Sequence, residues 1–150
     1  MTAYPDTSFL CATYRRQDNS AAADAYRMRL HEPLHATELL QFEFLQSIRL
    51  QVWLHAHDKK KGYSQAEADQ MIDDWRADLA KGIIEIVPYD ASAVARLAEH
   101  FSSSHTVGTG NRTLDILHVA TAVHLGAQAF LTFDPRQRSL ANSAGLLTPL

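Results

Sequence analysis

The sequence predicts an α/β fold, a three-layer α/β/α sandwich around a central parallel sheet of about five strands. Short apolar segments rich in β-branched residues recur along the chain, and helical segments separate them. Strands that alternate with helices form parallel sheets with helices packed on both faces. A chain of 150 residues has the size of one such domain, so we expect residues 1–150 to form a single domain.

Each element is predicted from local signals. Asp6 and Thr37 are favourable N-caps that directly follow short strands, and Ser64 and Glu67 have the spacing of a capping box. Serines and glycines in 102–110 predict the one flexible loop of any length. The predicted strands are 2–5, 34–36, 83–87, 127–133 and a terminal strand near 146–147, and the predicted helices are 9–14, 21–30, 37–57, 64–80, 91–101, 112–125 and a short one after Pro135.

The overall charge and the single cysteine restrict the class of protein. A formal net charge of −3 argues against a protein that coats nucleic acid without preference, although it is compatible with a locally basic groove. Cys11 is alone, so no intramolecular disulfide forms and a reducing compartment is expected. The sequence has no run of 18 apolar residues and no basic-then-apolar start. We therefore expect a soluble, cytoplasmic protein.

Four carboxylates can be placed on one rim of the predicted sheet. Asp6 and Asp134 each follow a strand, and the carboxyl ends of parallel strands form the edge where ligands bind. A helix that precedes a strand runs antiparallel to it, so the first turns of that helix lie at the same edge. Asp115 lies in the first turn of such a helix and Glu43 in the second turn of another. The four acids therefore point toward one edge.

Each acid also has a purely structural interpretation. Asp6 and Asp134 suit a helix cap and a turn, and the helix dipole favours an acid in a first turn, as at Asp115. Glu43 lies on a mostly apolar helical face, which is unusual for a surface glutamate. Glu38 is a rival for the second acid, although capping explains its position in the first turn of the same helix.

Asp115 lies in a helix that is apolar almost all round. A buried carboxylate requires a partner, and no cation on its stripe with Val119 and Ala122 provides one. His118, one turn further on, is predicted to be a packed, hydrogen-bonded histidine rather than a metal ligand.

Clustered acids without neutralising partners typically hold a divalent metal. Three or four carboxylates suit Mg²⁺ or Mn²⁺, which prefer oxygen ligands and keep several waters. Such an ion activates water and neutralises charge on a phosphodiester under attack. Ser8 and Thr132 are candidates for hydroxyls that orient the carboxylates, with capping and turn formation as the structural alternative.

These motifs resemble those of the PIN-domain family, especially the small single-domain ribonuclease toxins of bacterial type II toxin–antitoxin systems. The similarity spans nearly the whole chain and lies in four segments: 5–10 with Asp6, 36–48 with Glu43, 112–122 with Asp115, and 130–134 with Asp134. The resemblance implies a PIN-like fold and an endoribonuclease that hydrolyses RNA with Mg²⁺ or Mn²⁺, using these four acids as catalytic and metal-binding residues. It also implies frequent homodimers and a cognate antitoxin protein that blocks the site.

An RNA substrate requires basic groups near the rim, because an acidic centre alone repels phosphates. The candidates for RNA binding are Arg15, Arg16, Arg49, Arg112, Arg136 and Arg138. Ordinary surface charge is an equally good interpretation of any one of them.

Two other functions fit the sequence less well. A non-catalytic binding module of the same fold is expected to lack some of the acids, whereas all four positions are filled. A phosphoryl-transfer protein with a phosphorylated Asp6 is expected to carry an acid at position 8 and a lysine after a late strand, but the chain has Ser8 and Asp134 there. The complete acid set favours the nuclease.

Overall fold

The computed structural model describes residues 2–150 and shows short parallel strands between longer helices, which confirms the α/β class. In chain order the elements are β1 (Ala3–Pro5), α1 (Thr7–Tyr14), α2 (Ser20–Arg27), β2 (Leu34–Ala36), α3 (Glu38–His57), α4 (Gln65–Ala80), β3 (Ile84–Ile86), α5 (Ala91–Phe101), a π-helical segment (Ser102–Thr106), α6 (Val107–Thr109), α7 (Thr113–His124), β4 (Ala129–Leu131) and α8 (Pro135–Ser143). The predicted helices match this order, with ends that shift by up to about three residues.

The strands pair in parallel, two by two. β1 pairs with β4, which places Pro5 opposite Leu131, and β2 pairs with β3 in the same sense. The two pairs lie side by side, since the hydroxyl of Tyr4 in β1 is 3.2 Å from Oγ1 of Thr37 just after β2. All four strands consequently end at the same side of the molecule.

The predicted sheet of about five strands is not confirmed. Within residues 2–150 the strands form two separate pairs, and the predicted terminal strand contributes one isolated bridge between Ala129 and Leu147. Strands β1 and β2 are short because a helix cap follows each of them at once. Asp6 caps α1 immediately after β1, and Thr37 caps α3 immediately after β2.

The segment 102–110 was predicted to be a flexible loop, and this prediction is wrong. The π-helical segment and α6 continue the chain direction of α5, and Gly110 ends the run in a left-handed conformation with φ of 67°. Ser103 and Ser104 each donate a side-chain hydrogen bond of 2.9 Å to the carbonyl of His100. These serine hydroxyls therefore bond a helical carbonyl, an arrangement that the serine-rich sequence does not distinguish from an open loop.

Buried aromatic side chains fix the rotation of α3. Phe44 packs between Tyr14 of α1 and Trp75 of α4, with ring centroids 5.6 and 5.2 Å apart, and it is fully buried. Since adjacent helical residues differ in direction by about 100°, burying Phe44 turns Glu43 toward the edge of this core. No helix among residues 2–150 is long and apolar enough to cross a membrane.

Candidate metal centre

Asp6 is a fully buried carboxylate at the end of β1. Its Oδ1 accepts hydrogen bonds from the Ser8 hydroxyl at 2.7 Å and the Phe9 N–H at 2.9 Å, and its Oδ2 accepts from the Thr132 hydroxyl at 2.5 Å. Burial raises the pKa of Asp6 above its ordinary value, and these three hydrogen bonds offset part of that rise. Asp6 is thus both the cap of α1 and an acid at the predicted rim.

Thr132 connects Asp6 to Asp134. The main-chain N–H of Asp134 donates to Thr132 Oγ1 at 2.9 Å, so the hydroxyl that donates to the Asp6 carboxylate also accepts from the main chain of Asp134. Oδ1 of Asp134 caps α8 by accepting from the N–H of Arg136 at 2.7 Å, while Oδ2 faces Nη2 of Arg112 at 3.6 Å. The cap therefore holds one oxygen of Asp134 and directs the other toward the site.

Asp115 is almost completely buried and pairs with Arg112. Its Oδ2 accepts from the main-chain N–H and from Nε of Arg112, at 3.2 and 3.1 Å, and its Oδ1 lies 3.4 Å from Nη2. No cation on the apolar stripe of Asp115 was predicted to be its partner, and the partner is instead Arg112, which lies outside that stripe. Arg112 directly precedes α7, and its side chain reaches forward over the first turn to Asp115.

Glu43 is held from two sides through a single oxygen. Oε2 accepts from the Thr7 hydroxyl and from Nε2 of His118, the latter at 2.6 Å. Burial acts to raise the pKa of Glu43, but the hydrogen bonds from His118 and Thr7 lower it below its ordinary value. Glu43 is therefore a carboxylate with one fixed oxygen and a side chain that is 24% exposed.

His118 links Glu43 to the protein interior. Its Nδ1 is 3.3 Å from the Tyr4 hydroxyl, which is in turn 3.2 Å from the Thr37 hydroxyl. The network is satisfied when Nε2–H donates to Glu43 and Nδ1 accepts from Tyr4. Burial raises the pKa of Tyr4, which keeps its phenol protonated for that bond. The prediction that His118 is packed and hydrogen-bonded is confirmed.

The two candidates for the second acid lie in different surroundings. Glu43 contacts Thr7 and His118 beside the other acids, whereas Glu38 is exposed on the first turn of α3. Glu38 lines a groove with residues 86–89, beyond β3. Within residues 2–150 no hydrogen bond or ion pair joins Glu38 to Asp6, Asp115 or Asp134.

The donor set fits a hard divalent cation in its chemistry. It consists of carboxylate oxygens from four separate segments, with hydroxyls that orient two of them. In the part of the chain that the structure describes, no three acidic, histidine or cysteine side chains surround one point as a preformed metal cage. The guanidinium of Arg112 lies between Asp115 and Asp134.

Two of the candidate RNA-binding arginines already have acidic partners away from the rim. Arg15 pairs with Glu67 of α4 at 3.3 Å and lies over the Tyr63 ring, 4.7 Å from its centroid. Arg16 pairs with Asp24 of α2 at 3.2 Å. Both are partly exposed, so these pairs are weak and do not prevent contact with a phosphate.

The other candidate arginines differ in their surroundings. Arg49 is exposed on α3, and Arg138 is half-buried. Arg136 lies two residues after Asp134; its side chain is exposed and its main-chain N–H bonds Asp134, whereas the Arg112 side chain contacts two of the four acids. Among the candidates, Arg112 is therefore the one whose side chain contacts the acids in the described part of the chain.

Sequence reasoning missed the roles of Thr7 and Tyr4. Thr7 donates a hydrogen bond to Glu43, and the Tyr4 hydroxyl lies within hydrogen-bond distance of His118. Their positions on either side of Asp6 were a usable signal, because residues that flank a rim acid at a strand end lie near that rim as well.

Comparisons with known proteins identify the family and the fold of this chain. The model of the PIN domain family matches residues 3–143. The structure is similar to that of FitAcB from Neisseria gonorrhoeae, with a TM-score of 0.64, coverage of 94% of both chains and 17% sequence identity, and this likeness concerns the fold alone. A comparison with curated protein sequences finds no relative. Since the family match covers nearly the whole chain, this protein belongs to the PIN domain family.

Proposed function

We propose that this protein is an endoribonuclease that hydrolyses RNA phosphodiester bonds with Mg²⁺ or Mn²⁺. The observation that supports the proposal best is the grouping of Asp6, Glu43, Asp115 and Asp134 at the strand ends, where bonds from Thr132, Thr7 and Arg112 connect their segments. PIN domains are generally nucleases, and this chain carries an acid in each of the four segments that resemble the family.

Under this proposal the four acids hold the metal, and the surrounding groups set their orientation. A bound divalent ion supplies an activated water and neutralises charge on the phosphodiester. Ser8 and Thr132 keep Asp6 in position, and His118 with Thr7 keeps Glu43 ionised and oriented. Asp134 retains one oxygen for the site because its other oxygen caps α8.

The full donor set also argues against the two alternatives. An aspartyl-phosphate mechanism requires an accessible carboxylate, whereas Asp6 is fully buried and accepts three hydrogen bonds. A binding module has no need of four acids gathered at one rim, since their mutual repulsion destabilises the fold.

The proposal includes a toxin role, with a cognate antitoxin protein and a homodimeric state. It rests on the small size of the chain, its likeness to toxins of this family, and apolar side chains on α3 that are available to a protein partner. Phe42 and Trp53 are 62% and 55% exposed on that helix. Induced expression in a bacterial host tests toxicity, and light scattering of the purified protein tests the dimer.

The decisive experiment is cleavage of a mixed, structured RNA pool in Mn²⁺, Mg²⁺ or EDTA. The wild type is compared with Asp115→Asn and with Asp90→Asn, which neutralises an exposed cap of α5 that contacts none of the four acids. The proposal predicts metal-dependent cleavage by the wild type and D90N and none by D115N. Equal cleavage by D115N, or cleavage that persists in EDTA, contradicts it.

A further inference from the structure

We propose that Arg112 is a built-in competitor of the divalent metal: its guanidinium neutralises Asp115 and Asp134 in the metal-free protein and leaves them when the metal binds. This inference rests on the proposed function and concerns regulation of the same site.

The guanidinium occupies the oxygens that a metal would need. Its Nη2 lies 3.4 Å from Oδ1 of Asp115 and 3.6 Å from Oδ2 of Asp134, so one nitrogen faces an oxygen of each acid. The other oxygen of each acid accepts a main-chain hydrogen bond at a helix start: Oδ2 of Asp115 from the N–H of Arg112, and Oδ1 of Asp134 from the N–H of Arg136. The two oxygens that face Nη2 are therefore the ones left for a metal. A cation that bridges the same two acids therefore requires Arg112 to move.

Arg112 is also able to move at little cost. Its side chain is 69% exposed, although the Asp115 side chain beneath it is only 5% exposed. Among residues 2–150 its side-chain hydrogen bonds go to Asp115, and its other ion pair is with Asp134. An exposed arginine that is attached only through carboxylates leaves when a stronger cation takes those carboxylates, and it then extends into solvent beside the site.

This competition explains why the acids do not form a preformed cage. Arg112 offsets the repulsion among neighbouring carboxylates, and the field of Glu43 adds to its attraction to the cluster. Metal binding has to replace this counter-charge, so the apparent metal affinity is lower than the four acids alone would give.

The test is calorimetric titration of Mn²⁺ into the full chain, without RNA. Arg112→Gln is expected to bind Mn²⁺ about three- to tenfold more tightly than the wild type, the effect of losing two partly exposed ion pairs. The matched control is Arg76→Gln in α4. Arg76 is 72% exposed and pairs with Asp73 three residues away, the same sequence separation as between Arg112 and Asp115. This control is expected to leave the affinity unchanged.

Thermal unfolding gives a second readout that does not depend on activity. Arg112→Gln is expected to lower Tm in EDTA and to reach the wild-type Tm in saturating Mn²⁺, since the metal then supplies the missing charge. Arg112→Lys keeps the charge but lacks the planar fork, so it is expected to bind Mn²⁺ with an intermediate affinity.

The outcomes separate this inference from the proposed function. Mn²⁺ binding that is lost in Asp115→Asn but unchanged in Arg112→Gln refutes the competition and leaves the metal site standing. Weaker binding by Arg112→Gln refutes it too, because Arg112 would then assist the metal. Binding by Arg112→Lys equal to that of the wild type refutes displacement of the fork. Absence of Mn²⁺ binding in the wild type refutes both proposals.

Discussion

Replacing Thr132 by valine removes one hydroxyl that serves two segments of the site. The substitution keeps the side-chain shape, so its effect comes from lost hydrogen bonds and not from a cavity. Thr132 is 1% exposed, donates to Asp6 at 2.5 Å and accepts from the Asp134 N–H at 2.9 Å. Thr132→Val therefore leaves a buried carboxylate oxygen and a main-chain N–H without these partners.

The expected loss of stability follows from those two contacts. A hydrogen bond to a charged group contributes about 1.5–3 kcal/mol, and an N–H left without a partner costs about 1 kcal/mol when water can still reach part of its surroundings. Together they lower the free energy of unfolding by about 2–4 kcal/mol, which corresponds to a fall in Tm of about 5–15 °C for a chain of this size. We expect RNA cleavage to fall as well, because Asp6 loses one of the bonds that orient it.

The assay is urea unfolding of the metal-free protein, with two matched variants. Thr121→Val removes an equally buried hydroxyl that donates only to the Leu117 carbonyl within α7, and it is expected to cost less than about 1 kcal/mol. Thr132→Ser keeps the hydroxyl and is expected to stay near the wild type. If Thr132→Val and Thr121→Val are equally destabilised, the hydroxyl does not support Asp6 and the reasoning is refuted.

Three further predictions test other parts of the molecule. Glu43→Gln should abolish metal-dependent RNA cleavage while Glu38→Gln keeps it, and the reverse result would exchange the two acids. Burial raises the pKa of the Cys11 thiol to about 11, so at pH 8 iodoacetamide should alkylate it about 100-fold more slowly in the folded protein than in urea; equal rates would show that the thiol is accessible. Gly62→Ala should lower the free energy of unfolding by about 2–5 kcal/mol, because φ is +59° and a new Cβ would lie 1.9 Å from a main-chain oxygen of α3. Gly82→Ala has a similar φ with open space around it and should cost only about 1 kcal/mol, so similar losses for both glycines would contradict the predicted overlap.

The order of helices and strands could be predicted because its signals are local. Ser64 and Glu67 form the expected capping box, and strand β2 has the predicted bounds. The loop prediction for 102–110 failed because a serine side chain can bond either a helical carbonyl or water, and its sequence does not decide between them. The number of strands in one sheet could not be predicted either. It depends on whether the β1–β4 pair and the β2–β3 pair come close enough to form main-chain hydrogen bonds with each other.

The sequence is enough to predict that the four acids lie at one edge of the sheet, but not which side chains they contact. Strand ends and first helical turns share an edge in any parallel α/β fold, which is enough to group Asp6, Glu43, Asp115 and Asp134. The partners of these acids depend on side-chain reach across elements. The Glu43–His118 bond joins residues 75 positions apart, and nothing local in the sequence predicts such a pair.

The structural and functional interpretations of the capping acids are compatible, because a helix cap uses only one carboxylate oxygen and leaves the other available to the proposed cation. Asp134 uses Oδ1 to cap α8, and the cap leaves Oδ2 facing the site. Asp115 likewise bonds the N–H at the start of α7 through Oδ2, and its Oδ1 faces the same guanidinium nitrogen. A carboxylate that is fixed at one oxygen loses little further entropy when its other oxygen binds a metal. The capping interaction is therefore compatible with the proposed metal binding by these acids, and it would add rigidity to such a site.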